Sequence, residues 1–155
     1  DVYKRQEYGC QIVDGIRAQF ETKILTEEND RRLRIKAALK RLDGVGRQLA
    51  AHCLDVLKRR RGRLLGIDRF DRILALRLRA MGRTQEEIRR GLISVLPLVT
   101  PSVEKGVVEQ RAKAAVEAAY SVRYQGHARR LVNHRERYQK MELELVRGLK
   151  KGLER

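Results

Sequence analysis

Ile73-Leu74-Ala75-Leu76-Arg77-Leu78-Arg79-Ala80-Met81-Gly82-Arg83-Thr84-Gln85-Glu86-Glu87-Ile88 contains the end of one helix, a stop, a start and the opening of the next. Phe70, Leu74, Leu78 and Met81 recur at steps of four and three, with Ile73 three residues after Phe70, the period of one helical face. Gly82 closes that helix. Thr84 followed three residues later by Glu87 is a capping box, in which each side chain satisfies the other's free backbone amide. The second helix then runs through Ile88 and Leu92 and is expected to end before Pro97. With Asp68 as the cap of the first of these helices, the segment predicts a tight helical hairpin.

The same grammar extends in both directions. Both prolines, Pro97 and Pro101, sit within five residues of one another, and no stretch sustains period-2 alternation. Upstream, a helix is expected over 3–24 with Ile12, Ile16 and Phe20 on one face, then Thr26 as an N-cap. Ile35, Leu39, Leu42, Gly46, Leu49, Cys53 and Val56 alternate steps of four and three, the a/d seam of one long antiparallel-pairing helix that ends near residues 58–62. Gly44 and Gly46 either weaken it or admit a close neighbour. Downstream, Ser102 is expected to cap an alanine-rich helix to Tyr120. A last helix over 124–153 carries Leu131, Tyr138 and Leu145 at sevenfold spacing. The expected fold is therefore all-α, a five- or six-helix bundle with long antiparallel helices. Its divisions are a basic long-helix hairpin over 1–66, a compact module over 67–121 and a basic helical extension over 122–155, with the compact core placed at 68–120.

Charge is concentrated along this chain. The net charge is +16, and residues 31–83 hold 17 Lys+Arg against 4 Asp+Glu. A localised positive field attracts polyanions, and lysine or arginine placed on nucleic-acid phosphates gains free energy from released counterions. Arginine outnumbers lysine 26 to 10, and its planar fork grips phosphate in a bidentate way. A generally basic surface, as GC-rich genomes encode, is the plainer explanation. The clusters that carry the binding expectation are Arg31, Arg32 and Arg34; Lys58, Arg59, Arg60, Arg61 and Arg63; Arg89 and Arg90; and Arg129 and Arg130. Part of the second cluster also suits a helix C-terminus, where cations complement the dipole. Five Tyr, two Phe and no Trp argue against modules that stack unpaired bases on aromatic platforms.

Catalytic signatures are missing from the sequence. No phosphate-binding glycine loop or nucleophile-elbow motif is present, and the acidic residues form no pair suited to acid–base work. His52-Cys53 resembles a base and nucleophile on paper, but neighbours on a helix point about 100° apart. Cys53 falls on the apolar seam, as a buried structural thiol would. His127 and His134, seven apart, can share a helix face, yet lack further ligands for a metal. No catalytic residue, metal or cofactor is expected. No apolar run is long enough to span a bilayer, no secretory signal is evident, and two cysteines without metal spacing suit a reducing cytoplasm. No membrane partner is expected. The opening Asp1-Val2-Tyr3-Lys4-Arg5-Gln6 resembles a translated adapter, which suggests a fragment of a larger protein with other domains as partners.

Three motif pieces carry a family resemblance. They are Asp68-Arg69-Phe70-Asp71 leading a helix, Arg79-Ala80-Met81-Gly82-Arg83-Thr84-Gln85-Glu86-Glu87-Ile88, and Gln110-Arg111-Ala112-x-x-Ala115-Val116 after the proline break. Together, over residues 67–120, they resemble the small helical accessory module of plasmid mobilisation relaxases and plasmid replication primases. Val108 and Glu109 stand where that family often has a tyrosine. The chain has no His-x-His, so a relaxase's nicking activity is not carried over. The resemblance implies an accessory helical domain in a DNA-mobilising protein, a plasmid or conjugation function without catalysis. Two other readings stand beside it: a helix-turn-helix transcriptional regulator with Gln85, Glu86, Arg89 and Arg90 on its recognition helix, and a structural coiled-coil interaction module. DNA is favoured over RNA as the partner.

Overall fold

The computed structural model describes residues 29–60, 66–101 and 104–153. Among these residues all the regular structure is helix, without a strand. A helix over 29–39 (α1) is followed by Gly44–Arg59 (α2), Ile67–Ala80 (α3), Gln85–Val99 (α4) and Lys105–Ala119 (α5). A 3-10 turn, Val122–Tyr124, leads into Gln125–Val132 (α6) and Arg135–Leu153 (α7). The expected helix over 3–24, with Thr26, lies outside the described residues.

The α3–α4 hairpin forms as its residues demand. Gly82 takes φ of 89°, a conformation costly for any residue with a Cβ. The Arg83 amide reaches back to the Leu78 carbonyl at 3.0 Å, the long bond of a Schellman closure. The Glu87 amide donates to Thr84 Oγ1 at 3.2 Å, and the Thr84 amide donates to Glu87 Oε1 at 3.1 Å. The capping box is complete. Tyr120 then donates its hydroxyl to the Arg83 carbonyl at 3.0 Å, and Arg79 donates to the Ala119 carbonyl at 2.7 Å. These two bonds fasten the hairpin turn to the end of α5.

Several boundaries differ from expectation, each for a local reason. The expected long helix through residues 35–56 is two helices. The chain turns at 40–43, and Gly44 enters α2 at φ of 52°; Arg47 Nε donates to the Leu42 carbonyl at 2.8 Å, satisfying an acceptor freed by the break. Gly66 rather than Asp68 occupies the N-cap of α3, and Asp68 sits in the first turn, where its charge still favours the dipole. α4 runs through Pro97 to Val99: a proline this late removes a single amide from the ladder, and its ring faces outward. Glu104 is the N-cap residue of α5; Ser102 lies outside the described residues. The expected last helix over 124–153 begins directly after the 3-10 turn and is interrupted once, at Asn133–His134, whose amides bond three residues back to Arg130 and Leu131.

One hydrophobic cluster runs from Ile35 to Ala128 and draws on α1 through α6. Ile35, Leu49, Cys53, Leu74, Leu78, Ile88, Leu92, Val95, Leu96, Ala112 and Ala119 are sealed from solvent within it. Gly91 sits on the α2–α4 contact, where a Cβ would lie 3.3 Å from the Val45 side chain; glycine here sets how near the two helices come. Asp71 on α3 and Arg111 on α5 form a two-pronged pair at 2.9 Å per bond, so the first and third motif pieces meet in the interior. Tyr138 on α7 is also buried, against His52 of α2.

Candidate nucleic-acid interface

α3 places Arg69, Arg72, Ile73, Leu76 and Arg77 on one face, at helical steps of three and four. Its apolar members meet Leu131 of α6. Because the chain breaks at Asn133–His134, α6 and the start of α7 bring His127, His134 and Arg137 around the same space, with Arg60 entering from the end of α2. The result is a cleft of about 430 Å³ with an apolar floor of Ile73, Leu76 and Leu131. Five arginines and two histidines line it, and none of its described lining residues is acidic.

The arginines differ in what already holds them. Arg77 is buried and bonded to Asp55 Oδ2 at 2.7 Å, so its charge is met from within. Arg72 lies 4.5 Å over the Tyr124 ring and Arg137 lies 5.1 Å over Tyr138. Stacking engages the face of a guanidinium and leaves its in-plane N–H edge available for an anion. Burial, with Arg130 and Arg72 nearby, holds His127 below its ordinary value.

Beneath the cleft a polar chain crosses the bundle. Arg77 Nη1 is 3.4 Å from His52 Nδ1, and His52 Nε2 is 2.8 Å from Glu142 Oε1. Guanidinium can only donate, so Nδ1 accepts and the imidazole proton sits on Nε2, donated to Glu142. Burial keeps His52 below its ordinary pKa despite that carboxylate. Gln48 donates to Glu142 at 3.0 Å and accepts from Arg83 Nε at 2.6 Å; Arg83 also pairs with Glu87 at 2.7 Å. The capping box, α2 and α7 thus share one network. Cys53 beside His52 points into the core, and burial pushes its thiol well above its ordinary range, so it stays protonated.

The arginines expected to bind are dispersed. Arg60 lines the cleft. Arg129 and Arg130 are exposed on α6, the helix that forms one wall. Arg32 donates to the Leu57 carbonyl at 3.2 Å and Arg34 to the Leu98 carbonyl at 3.1 Å, which ties α1 to α2 and α4; Arg31 beside them is half-buried. Lys58 is exposed at a separate groove lined by α1, α2 and α7. Arg59 pairs with Asp55 at 3.0 Å. Arg89 makes two bonds to Glu86, and Arg90 lies 3.8 Å from the same carboxylate. Arg61 and Arg63 lie outside the described residues. The residues that sequence reasoning passed over are Arg69, Arg72 and Arg137, single cations rather than runs. Their available signal was the i, i+3 spacing of Arg69 and Arg72 on one face of α3.

Among the described residues no three His, Cys, Asp or Glu side chains gather as a metal ion would require, and no helix is long and apolar enough to cross a membrane. Comparison with protein-family models, curated proteins and solved structures returns no match.

Proposed function

We propose that this chain is a non-catalytic helical domain that binds nucleic acid, DNA in preference to RNA, within a plasmid mobilisation or replication protein. The observation that carries the binding reading is the α3–α6–α7 cleft, where Arg60, Arg69, Arg72 and Arg137 converge with no carboxylate on the lining. Cations gathered without counter-charges favour an anionic ligand and give association a steered, salt-sensitive character. The mobilisation reading rests on the sequence resemblance; what supports it in the fold is the Asp71–Arg111 pair, which joins two of the three motif pieces. The bundle is read as one of long antiparallel helices, and the ladder of Tyr138 on His52 and Glu142 on His52 and Gln48 supports that arrangement of α7 against α2.

The helix-turn-helix reading is weaker on this geometry. Glu86 already engages both Arg89 and Arg90, and the carboxylates of the first turn of α4 would face a duplex with like charge.

Fluorescence anisotropy with single-stranded DNA, duplex DNA and RNA, repeated across a salt series, tests the proposal. DNA affinity should exceed that for RNA and fall log-linearly with salt. On duplex DNA the slope should be about −0.9 per phosphate neutralised, and on single strands about −0.7. Affinity independent of salt, or no binding at low salt, contradicts it.

A further inference from the structure

We infer that the cleft between α3 and the α6–α7 segment takes a terminal phosphomonoester of a nucleic-acid strand in preference to an internal phosphodiester. The inference rests on the nucleic-acid reading above and names the chemical group that its cleft selects.

The cationic side chains line a concavity of about 430 Å³, within the roughly 300–1,000 Å³ range of small-ligand pockets. A duplex presents a convex, regularly charged surface and would meet only the rim. A strand end can enter.

Charge argues next. A phosphomonoester carries about −1.5 to −2 at pH 7 and three acceptor oxygens, whereas each linking phosphate carries a single charge. Arg69 and Arg72 approach from α3, Arg60 from the end of α2 and Arg137 from α7, with no carboxylate partner among the described residues. His127 and His134 add ring N–H donors on the opposite wall. Ile73, Leu76 and Leu131 supply an apolar part of the lining, and a charged hydrogen bond beside apolar surface is stronger than one in open water. Several converging donors reward the group with more charge and more free acceptors.

The aromatic rings point the same way. Tyr124 has Arg72 at 4.5 Å and Arg123 at 5.5 Å from its ring. Tyr138 is buried, between Arg77 at 4.8 Å and Arg137 at 5.1 Å. Both rings are engaged by guanidinium groups, so base stacking is not what the cleft offers. Recognition should follow the phosphate and ignore base identity.

The test uses the full chain and three single-stranded oligonucleotides of one sequence, each with an internal fluorophore. One carries a 5′-phosphate, one a 3′-phosphate, and one hydroxyls at both ends. At fixed salt, at least one phosphorylated oligonucleotide should bind roughly tenfold more tightly than the hydroxyl form. Which one does so identifies the end. Arg72→Gln with Arg137→Gln should abolish the difference while retaining weaker, salt-sensitive binding and the helical circular dichroism spectrum. If that double variant fails to fold, Arg137→Gln alone, at an exposed position, should reduce the difference. Equal affinity for all three oligonucleotides overturns this inference and leaves the nucleic-acid reading in place. Failure of all three to bind overturns both. A phosphate preference that survives the arginine substitutions overturns the assignment to this cleft.

Discussion

His52 Nε2 and Glu142 Oε1 stand 2.8 Å apart, joining α2 to α7 through a ring that is fully buried. The bond gives α7 a fixed register on the bundle, because the imidazole's other nitrogen is committed to Arg77. Burial works against the charge on Glu142, but the bonds from His52 and Gln48 prevail and hold its pKa below the ordinary value. Replacing Glu142 with Leu leaves the His52 N–H without an acceptor and should cost about 1–3 kcal/mol. The urea midpoint should fall accordingly, and an unchanged midpoint would mean that water takes over the acceptor role.

The same contact gives stability a defined pH dependence. The unfolded chain protonates His52 near its ordinary value of 6.5, while the folded chain does so only at lower pH because the ring is buried. In that interval unfolding takes up a proton, so stability is full above about 6.5 and is lost as pH falls through the lowered folded value. His127, also lowered, adds in the same direction. Glu142 and Asp55, both lowered, extend the loss into more acid solution. Chemical denaturation at a series of pH values should show a shallower decline below pH 6.5 for His52→Gln than for the unaltered chain. Identical pH profiles would contradict this account.

Asp71 and Arg111 provide a second test of the interior. Arg111→Leu strands a carboxylate whose side chain is 3 % exposed, at an expected cost of about 3–5 kcal/mol. Asp71→Asn combined with Arg111→Leu should recover part of that loss, since the unpaired charge is gone. Thermal melts of the two variants make the comparison; a double variant no better than Arg111→Leu alone would show that the bond to Thr100 Oγ1 matters more than the ion pair.

At the hairpin turn, Gly82→Ala should destabilise by about 1–2 kcal/mol through its left-handed backbone alone. A Cβ there meets nothing within 4 Å, so packing offers no competing explanation. A melting temperature equal to that of the unaltered chain would require the turn to have another conformation.

The hairpin was legible because its signals are local. Gly82, Thr84 and Glu87 act within a few residues of one another, and the structure places each where its chemistry requires. The all-helical class was legible for the same reason. Helix continuity was not. The seam from Ile35 to Val56 keeps its period across residues 40–43, because both α1 and α2 bury that face against one core; periodicity reports burial and is silent on a turn between two helices. The candidate site was the least legible. Runs such as Arg89–Arg90 draw the eye, yet Arg89 and Arg90 share Glu86. Arg69, Arg72 and Arg137 are isolated in sequence and are gathered only when α3 meets the α6–α7 break.

In the proposed reading, nucleic acid contacts the α3–α6–α7 cleft. Arginine modification by phenylglyoxal, read by mass spectrometry with and without saturating single-stranded DNA, decides whether it does. Arg60, Arg69, Arg72 and Arg137 are expected to be protected by DNA, while Arg59, Arg89 and Arg90 react equally in both samples. Protection confined to Arg89 and Arg90, or to the arginines of α1, would contradict the account.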